Sequence, residues 1–304
     1  MQKVLVSILH FNHPHQTFEC LSSLNKLKVD DMNVEILVID NGSKEELRLD
    51  KKEFGNLNLK LIINKENLGF SGGHNISFKY AVKENYDFVM ILNNDTMVDK
   101  DLILELLKPF KDNNKIGVTV PKMYFTKGHE FHKEKYKVEE LGRVIWYAGG
   151  ITDWGNVISY HKGVDEVDRG QFDDQEETEF ASGACMMIKI DILKKVGFFD
   201  DKYFLYYEDG DLNIRIKKAG FKIIYVPTAI LWHNNAGSSG SGSTLQDYYI
   251  SRNRMLYGMT YAPIRSKVHL IRESLRLLKS GRTWQKKGIR DFYLRRFGKG
   301  SYRG

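Results

Sequence analysis

Three carboxylates, Glu208, Asp209 and Asp211, stand directly behind an aromatic run in FLYYEDGDLNIRIKKAGFK, residues 204–222. Two kinds of chemistry suit such a cluster. Acids in the first turn of a helix meet its unpaired N–H groups and the positive end of its dipole. Alternatively, one of the three does chemistry. A second constellation, Asn93-Asn94-Asp95, closes the run YDFVMILNND. Carboxylate oxygen there suits Mg2+ or Mn2+. A third, NLGFSGGHN (67–75), has the glycines of a phosphate-binding loop without its spacing, because G-x-G-x-x-G is absent and no G-K-[ST] occurs. Those glycines equally suit close backbone packing.

The elements that must position these groups follow from hydrophobic period. Apolar runs at 3–9, 34–40, 59–64 and 86–95 read as strands. Between and after them, 15–27, the later part of 65–84 and 99–110 read as helices, with Phe18, Leu21, Leu24 and Leu27 on one stripe of the first. Strand alternating with helix predicts a parallel sheet covered on both faces. Ligands of such sheets bind beyond the carboxyl ends of the strands. At those ends lie Phe11–Asn12, Asp40–Asn41, Asn64–Asn75 and Asn93–Asn94–Asp95. A single acid there can be a turn residue, as Asp40 in DNGS would be. Four strands doing so together favour a polar ligand across the sheet edge. A nucleotide diphosphate held without a P-loop needs another neutralising charge, and a cation on Asn93-Asn94-Asp95 would supply it.

After Val120–Pro121 the rhythm changes. Residues 126–140 read as a charged surface insertion whose His129 and His132 are three apart, not the four of a zinc-protease helix. The stretch 146–163 suggests antiparallel hairpins, 165–177 an exposed acidic loop, and 181–197 begins small and ends as a helix. In 208–219, Leu212, Ile214 and Ile216 alternate as in a strand, whereas Leu212, Ile216 and Ala219 share a helical face. Gly220 is a helix stop, and we assign helix. Residues 221–227 form one more strand, and 233–244 a Gly/Ser loop that is flexible by composition. From Leu245 onward the chain is basic and mostly helical.

The 304 residues, 42% of them hydrophobic, suffice for a sizeable core. Two cysteines, Cys20 and Cys185, lack metal spacing and suggest a reducing compartment. The opening residues lack a signal-peptide pattern, and no apolar run of about 18 residues is long enough to span a membrane. The net charge of +7 hides an asymmetry: residues 251–304 carry fifteen Lys and Arg against two acids, a local +13. Such a tail points to a polyanionic surface, nucleic acid or anionic lipid, or else to a solvated helical face.

VIDNGS, NLGFSGGHN, ILNNDT, ASGACMMIK, FLYYEDGDLNIRIKKAGFK, His233 with the serines behind it, and YYISRNRMLY together resemble, in order and spacing, the family 2 glycosyltransferases. The subgroup is the rhamnosyltransferase-like one of cell-envelope polysaccharide assembly, and the likeness covers roughly residues 3 to 260. The resemblance implies an α/β, GT-A fold: a Rossmann-like, mainly parallel sheet flanked by helices, with a mixed acceptor-side sheet and a C-terminal helical tail. It implies a nucleotide-sugar-binding half (1–120), an acceptor-binding and catalytic half (121–244) and a basic helical tail (245–304).

Carried over by position, Asp209 is the catalytic base, with Glu208 beside it as an orienting or tuning acid, while Asp211 reads as a helix first-turn acid. Asp40 resembles the acid that reads the nucleobase. Phe11, Asn12, Asn67, Gly69, Gly72, Gly73, Asn75, Asn93 and Asn94 line the nucleotide cleft. Ser182, Gly183, Ala184 and Trp154 face the donor or acceptor sugar. Asp95 and His233 hold Mn2+ or Mg2+, although Asn93 stands where the family's metal motif carries its first acid. The implied activity is inverting transfer of a sugar, rhamnose favoured, from a dTDP- or UDP-linked donor to a glycan or lipid-linked glycan. The expected location is cytoplasmic, at the inner face of the cell membrane, with the tail on anionic lipid or in a homodimer. A sugar-nucleotide-binding scaffold without turnover is one competing reading, which intact Asp95, Asp209 and His233 oppose. A nucleic-acid-binding protein is another, but the tail shows neither aromatic-interleaved basic strands nor a recognition helix.

Overall fold

The computed structural model describes residues 1–29, 32–50, 54–55, 57–234 and 243–303. Its first half alternates β1 (Gln2–His10), α1 (Pro14–Leu24), β2 (Met32–Asp40), β3 (Asn58–Ile63), α2 (Gly69–Lys83), β4 (Phe88–Asn93), β5 (Thr96–Val98), α3 (Leu102–Asp112) and β6 (Ile116–Phe125). There follow β7 (Ile145–Tyr147), the hairpin β8 (Gly150–Asp153) and β9 (Ile158–His161), then β10 (Glu176–Glu177), β11 (Cys185–Lys189), α4 (Ile190–Val196), α5 (Glu208–Lys218) and β12 (Lys222–His233). The tail forms α6 (Thr244–Tyr261), α7 (Ile264–Ser280) and α8 (Thr283–Tyr293).

Among the described residues the main sheet runs β10-β12-β6-β11-β4-β1-β2-β3, with β5 on β12 and β7 on β6. Strands β4, β1, β2 and β3 are parallel, and β11 enters antiparallel between β4 and β6. The parallel half and the mixed half are therefore one sheet, and residue 120 falls inside β6. Val4, Leu5, Val6 and Ile8 of β1 and Ile36 through Ile39 of β2 are buried, as expected for strands covered on both faces. Register brings the carboxyl ends level: His10 lies opposite Asp40, Leu9 opposite Asn93 and Asp40 opposite Ile63. Phe11–Asn12, Asp40–Asn41, Asn64 and Asn93–Asp95 thus share one edge.

Three local readings change. Helix α2 starts at Gly69, so Gly72 and Gly73 are helical; a Cβ on Gly73 would sit 2.3 Å from Leu9 Cδ1, and close packing accounts for that glycine. A strand, β11, precedes the helix expected in 181–197, because Cys185 through Ile188 are buried on a sheet where small and apolar residues fit. Strand β12 passes Pro227 through an irregularity between Val226 and Ile230, so His233 ends the strand rather than following it in a loop. Most of the Gly/Ser loop, residues 235–242, lies outside the described residues.

Candidate active site

Segment 203–207 approaches α5 with an unusual backbone. Phe204, Tyr206 and Tyr207 have φ of 65°, 68° and 74°. For bulky L-residues each such conformation costs about 1–3 kcal/mol and persists only when surroundings enforce it. The Phe204 carbonyl accepts from the Phe70 and Ser71 N–H groups at 2.7 and 3.3 Å, satisfying two free donors at the start of α2. Gly69 makes the approach feasible, since a Cβ there would lie 2.3 Å from that carbonyl oxygen.

The strained segment delivers Glu208 and Asp209 into the first turn of α5. Asp209 Oδ2 accepts from the Gly183 N–H at 3.0 Å and Oδ1 from the Gly210 N–H at 2.8 Å. Burial pushes its carboxyl above the usual range against the pull of these two bonds. Glu208 is buried with Oε2 unpartnered, and burial, then the Asp209 charge, raise it well above the usual value. Two backbone N–H groups favour negative charge on Asp209, whereas buried Glu208 Oε2 has no partner to stabilise a second one beside it. Asp211 is otherwise engaged, pairing with Arg215 at 2.8 Å and accepting from the Tyr261 hydroxyl at 2.7 Å.

One residue past Gly183, the Ala184 carbonyl accepts from the Asn93 N–H at 2.9 Å, and Ser182 Oγ accepts from the Ala184 N–H at 3.3 Å. The turn before β11 thereby ties Asp209 to Asn93-Asn94-Asp95. Pairing of β12 with β5 sets His233 opposite Thr96, and His233 Nε2 comes to 3.5 Å from Asp95 Oδ1 and 3.4 Å from Asn93 Nδ2. Both separations are long for direct hydrogen bonds, and His233 Nδ1 is buried without a partner. Trp146 stacks on the imidazole at 4.4 Å and 12°, fixing the ring plane. One carboxylate, one imidazole and the Asn93 amide, whose oxygen and nitrogen are interchangeable by a flip, therefore converge without closing on one another. This donor set fits a divalent cation that takes its remaining ligands from diphosphate and water. No group of three or more His, Cys, Asp or Glu side chains suited to a metal occurs among the described residues.

The remaining expected nucleotide-binding residues divide. Asn67 accepts from Gly69 N–H at 2.8 Å and from Asn41 Nδ2 at 3.1 Å, on the sheet edge. Asn12, at φ 63°, accepts from the Lys44 N–H, and Phe11 is exposed beside it. Asn94 donates to Thr17 Oγ1 at 3.0 Å. Asp40 is fully buried and accepts from the Ser43 and Leu47 N–H groups at 3.0 and 2.8 Å. Burial opposes its ionisation, but these hydrogen bonds prevail and hold it below the usual carboxylate range. It shapes the 41–47 turn. Asn75, inside α2, donates to Phe199 O and Asp201 Oδ1 at 2.9 and 2.7 Å and accepts from Phe199 N–H. Its amide joins α2 to the segment before the strained loop.

Asn41, named only as one of the strand-end residues, is the hub of this edge, its amide bonding Asn67, Gly69, Asn64 and Leu68. Sequence reasoning passed over Trp146, which no spacing links to His233, and gave no role to Arg252 or Asn253 inside YYISRNRMLY. Trp154 stacks on Tyr257 at 5.7 Å and 11°. Both line a cavity of about 400 Å³ with Glu179, Gly210, Lys218 and Tyr261.

A family model described as "Glycosyltransferase like family 2" matches residues 2–258. A low-salt glycan biosynthesis hexosyltransferase of Haloferax volcanii is 25% identical over 224 residues, which is 73% of this chain and 66% of that one. The rhamnosyltransferase WbbL of Escherichia coli K12 is 23% identical over 283 residues, 87% of this chain and 100% of its own. Among solved structures, GalNAc-T7 with UDP, GalNAc and Mn2+ superposes with a TM-score of 0.62 at 17% identity, over 96% of this chain and 57% of that one. The chain therefore spans about two thirds of the first relative and less of that structure.

Proposed function

From the premise that the chain belongs to glycosyltransferase family 2 and is a glycosyltransferase, we propose that it moves a hexose with inversion from a nucleotide-diphosphate donor to a glycan hydroxyl. The observation that carries the reading is the Gly183–Ala184 turn, which bonds Asp209 on one side and Asn93 on the other. Asp209 takes the acceptor hydroxyl proton as that oxygen attacks the anomeric carbon. The bond to the diphosphate breaks with its electron pair leaving on the diphosphate, opposite the new bond. One base suffices, since no covalent intermediate is formed. Asp95 and His233 would hold a divalent cation, which when bound neutralises the leaving diphosphate. Neutral Glu208 keeps a second negative charge from opposing ionisation of Asp209. Residues 1–120 hold the donor along the sheet edge and 121–244 the acceptor, with the Trp154–Tyr257 cavity offering aromatic faces and charged groups suited to a sugar.

Rhamnose from dTDP-rhamnose is the donor favoured by likeness to rhamnosyltransferases such as WbbL. Thermal unfolding with Mn2+ and each of dTDP-rhamnose, UDP-glucose, UDP-GlcNAc and GDP-mannose tests this. A ligand at about 100 times its Kd adds about 2.7 kcal/mol. Stabilisation by dTDP-rhamnose above the others is expected; no shift with any of them would remove the donor assignment.

We assign the tail to an anionic cytoplasmic membrane surface. Among the described residues no helix is long and apolar enough to cross a membrane. Leu270, Leu277, Trp284 and Phe292 pack inward against the tail and the catalytic body. On α7, however, Ile264, Val268, Ile271, Leu275 and Leu278 are exposed at intervals that keep one helical face. Arg265, Arg272, Arg276 and Lys279 flank them. Apolar insertion plus about 1 kcal/mol per basic residue near the surface suits anionic lipid. The expected result is sedimentation with phosphatidylglycerol vesicles that falls with salt and is lost in Ile271→Glu/Leu275→Glu. A dimer in solution that the same pair dissociates, without vesicle binding, would assign the stripe to a second copy instead.

A further inference from the structure

The strained segment 203–207 is held from outside by two neighbouring side chains of α6. Asn253 Nδ2 donates to the Tyr203, Leu205 and Tyr206 carbonyls at 2.8, 2.7 and 2.9 Å. Its Oδ1 accepts from Arg252 Nε at 2.9 Å, which fixes the amide the right way round. Arg252 in turn donates through Nη2 to the Lys202 and Tyr203 carbonyls at 3.2 and 2.9 Å, and through Nη1 to Gly298 O at 2.7 Å. Both residues are fully buried. The guanidinium lies 5.4 and 5.0 Å from the Tyr248 and Tyr249 ring centroids. A buried guanidinium satisfied by backbone carbonyls and ring faces is a costly arrangement for mere stability, which an apolar side chain would supply more simply. What the arrangement does here is specific. It gathers the Lys202, Tyr203, Leu205 and Tyr206 carbonyls around the left-handed Phe204, Tyr206 and Tyr207, a segment that ends two positions before Asp209.

We infer that Asn253, oriented by Arg252, is a positioning residue that holds segment 203–207 in the conformation aiming Asp209 at the acceptor hydroxyl. The inference rests on the assignment of Asp209 as base. The clamp bonds the Lys202, Tyr203, Leu205 and Tyr206 carbonyls, not the Phe204 carbonyl that meets the start of α2 beside the donor edge. Loss of the clamp should therefore disturb the alignment of the proton acceptor far more than donor binding. Misplacement by about an ångström at a reacting group costs on the order of 100-fold.

The test combines kinetics, binding and a double-mutant cycle in the full chain, using the nucleotide sugar that the donor panel selects. Asn253→Ala is expected to lower kcat by about 10- to 100-fold, with Kd for UDP or dTDP in Mn2+ within about twofold of the parent. In an Asp209→Asn background the same change should cost little more, because both act on one step. Should Asn253→Ala not bind the diphosphate, Asn253→Ser, which keeps one donor, is the milder variant and should show an intermediate loss. Parent-like kcat in a diphosphate-binding Asn253 variant overturns the inference, and so does a full multiplicative loss in the Asp209→Asn background. Parent-like turnover in Asp209→Asn alone removes the base assignment and this inference with it, so the two failures are told apart.

Discussion

Asp209→Asn is expected to lower kcat by at least about 100-fold while Kd for the nucleotide diphosphate changes by less than about twofold, because a positioned base contributes 10²–10⁴. The substitution is close to isosteric. Its Oδ1 can still accept from Gly183 or Gly210, so the fold loses one hydrogen bond at most. An acid serving only the first turn of α5 would behave differently, with stability lower by roughly 1 kcal/mol and turnover kept. Asp211 is the internal control, since it sits in the same turn but is spent on Arg215 and Tyr261. The pH profile adds a second readout. Burial raises Asp209, and the base works only when ionised, so kcat should fall as pH drops through a value above the ordinary carboxylate range. The titratable groups facing it are Glu208 on its own helix, Tyr207 before it, Tyr257 of α6 and Tyr147 of β7. The acid limb should be missing from the residual activity of Asp209→Asn. An unchanged limb there would assign it to another group.

Asp95→Ala and His233→Ala should each weaken Mn2+-dependent binding of UDP or dTDP by at least about tenfold, the scale on which loss of even a supporting contact acts. Calorimetry with and without Mn2+ reads this directly, apart from turnover. In the parent, activity should disappear in EDTA and return with Mn2+, and with Mg2+ to a smaller extent, because an imidazole donor suits Mn2+ better in the divalent affinity order. Asn93 brings an amide where a carboxylate would add charge. The cation should therefore bind weakly without the diphosphate and tightly with it. Full activity in chelator would leave Asp95 and His233 as a structural pair under Trp146.

How much of this was legible depended on distance along the chain. The strand ends were legible because each is a local switch from apolar to polar, and parallel strands must place such switches on one edge. Helix α5 was ambiguous by period and was decided by a local stop, Gly220, with φ of 87°. Asn75 and Asp40 have the residue types of ligand contacts, and they also bond Phe199, Asp201, Ser43 and Leu47, which their spacing does not announce. No local pattern distinguishes an amide free for a ligand from one consumed by a segment more than a hundred residues away. Gly73 was similar, because its meaning is Leu9. The clamp was the most hidden part. Arg252 and Asn253 stand in YYISRNRMLY, a motif that carries the resemblance without giving either residue a role, and the left-handed backbone they hold is written in aromatics rather than in glycines.

The Arg252 cage has a consequence for synthesis on the ribosome. Asp209 leaves the exit tunnel well before Asn253, and Gly298, whose carbonyl holds the guanidinium, follows later still. At about 5–20 residues per second, that order leaves several seconds in which the donor-side sheet can form around β1, β2 and β4 while the loop before the base lacks its restraint. A nascent chain from which α5 and β12 have emerged but α6 has not should thus retain nucleotide already yet turn over slowly, and binding and catalysis would be acquired in sequence rather than together.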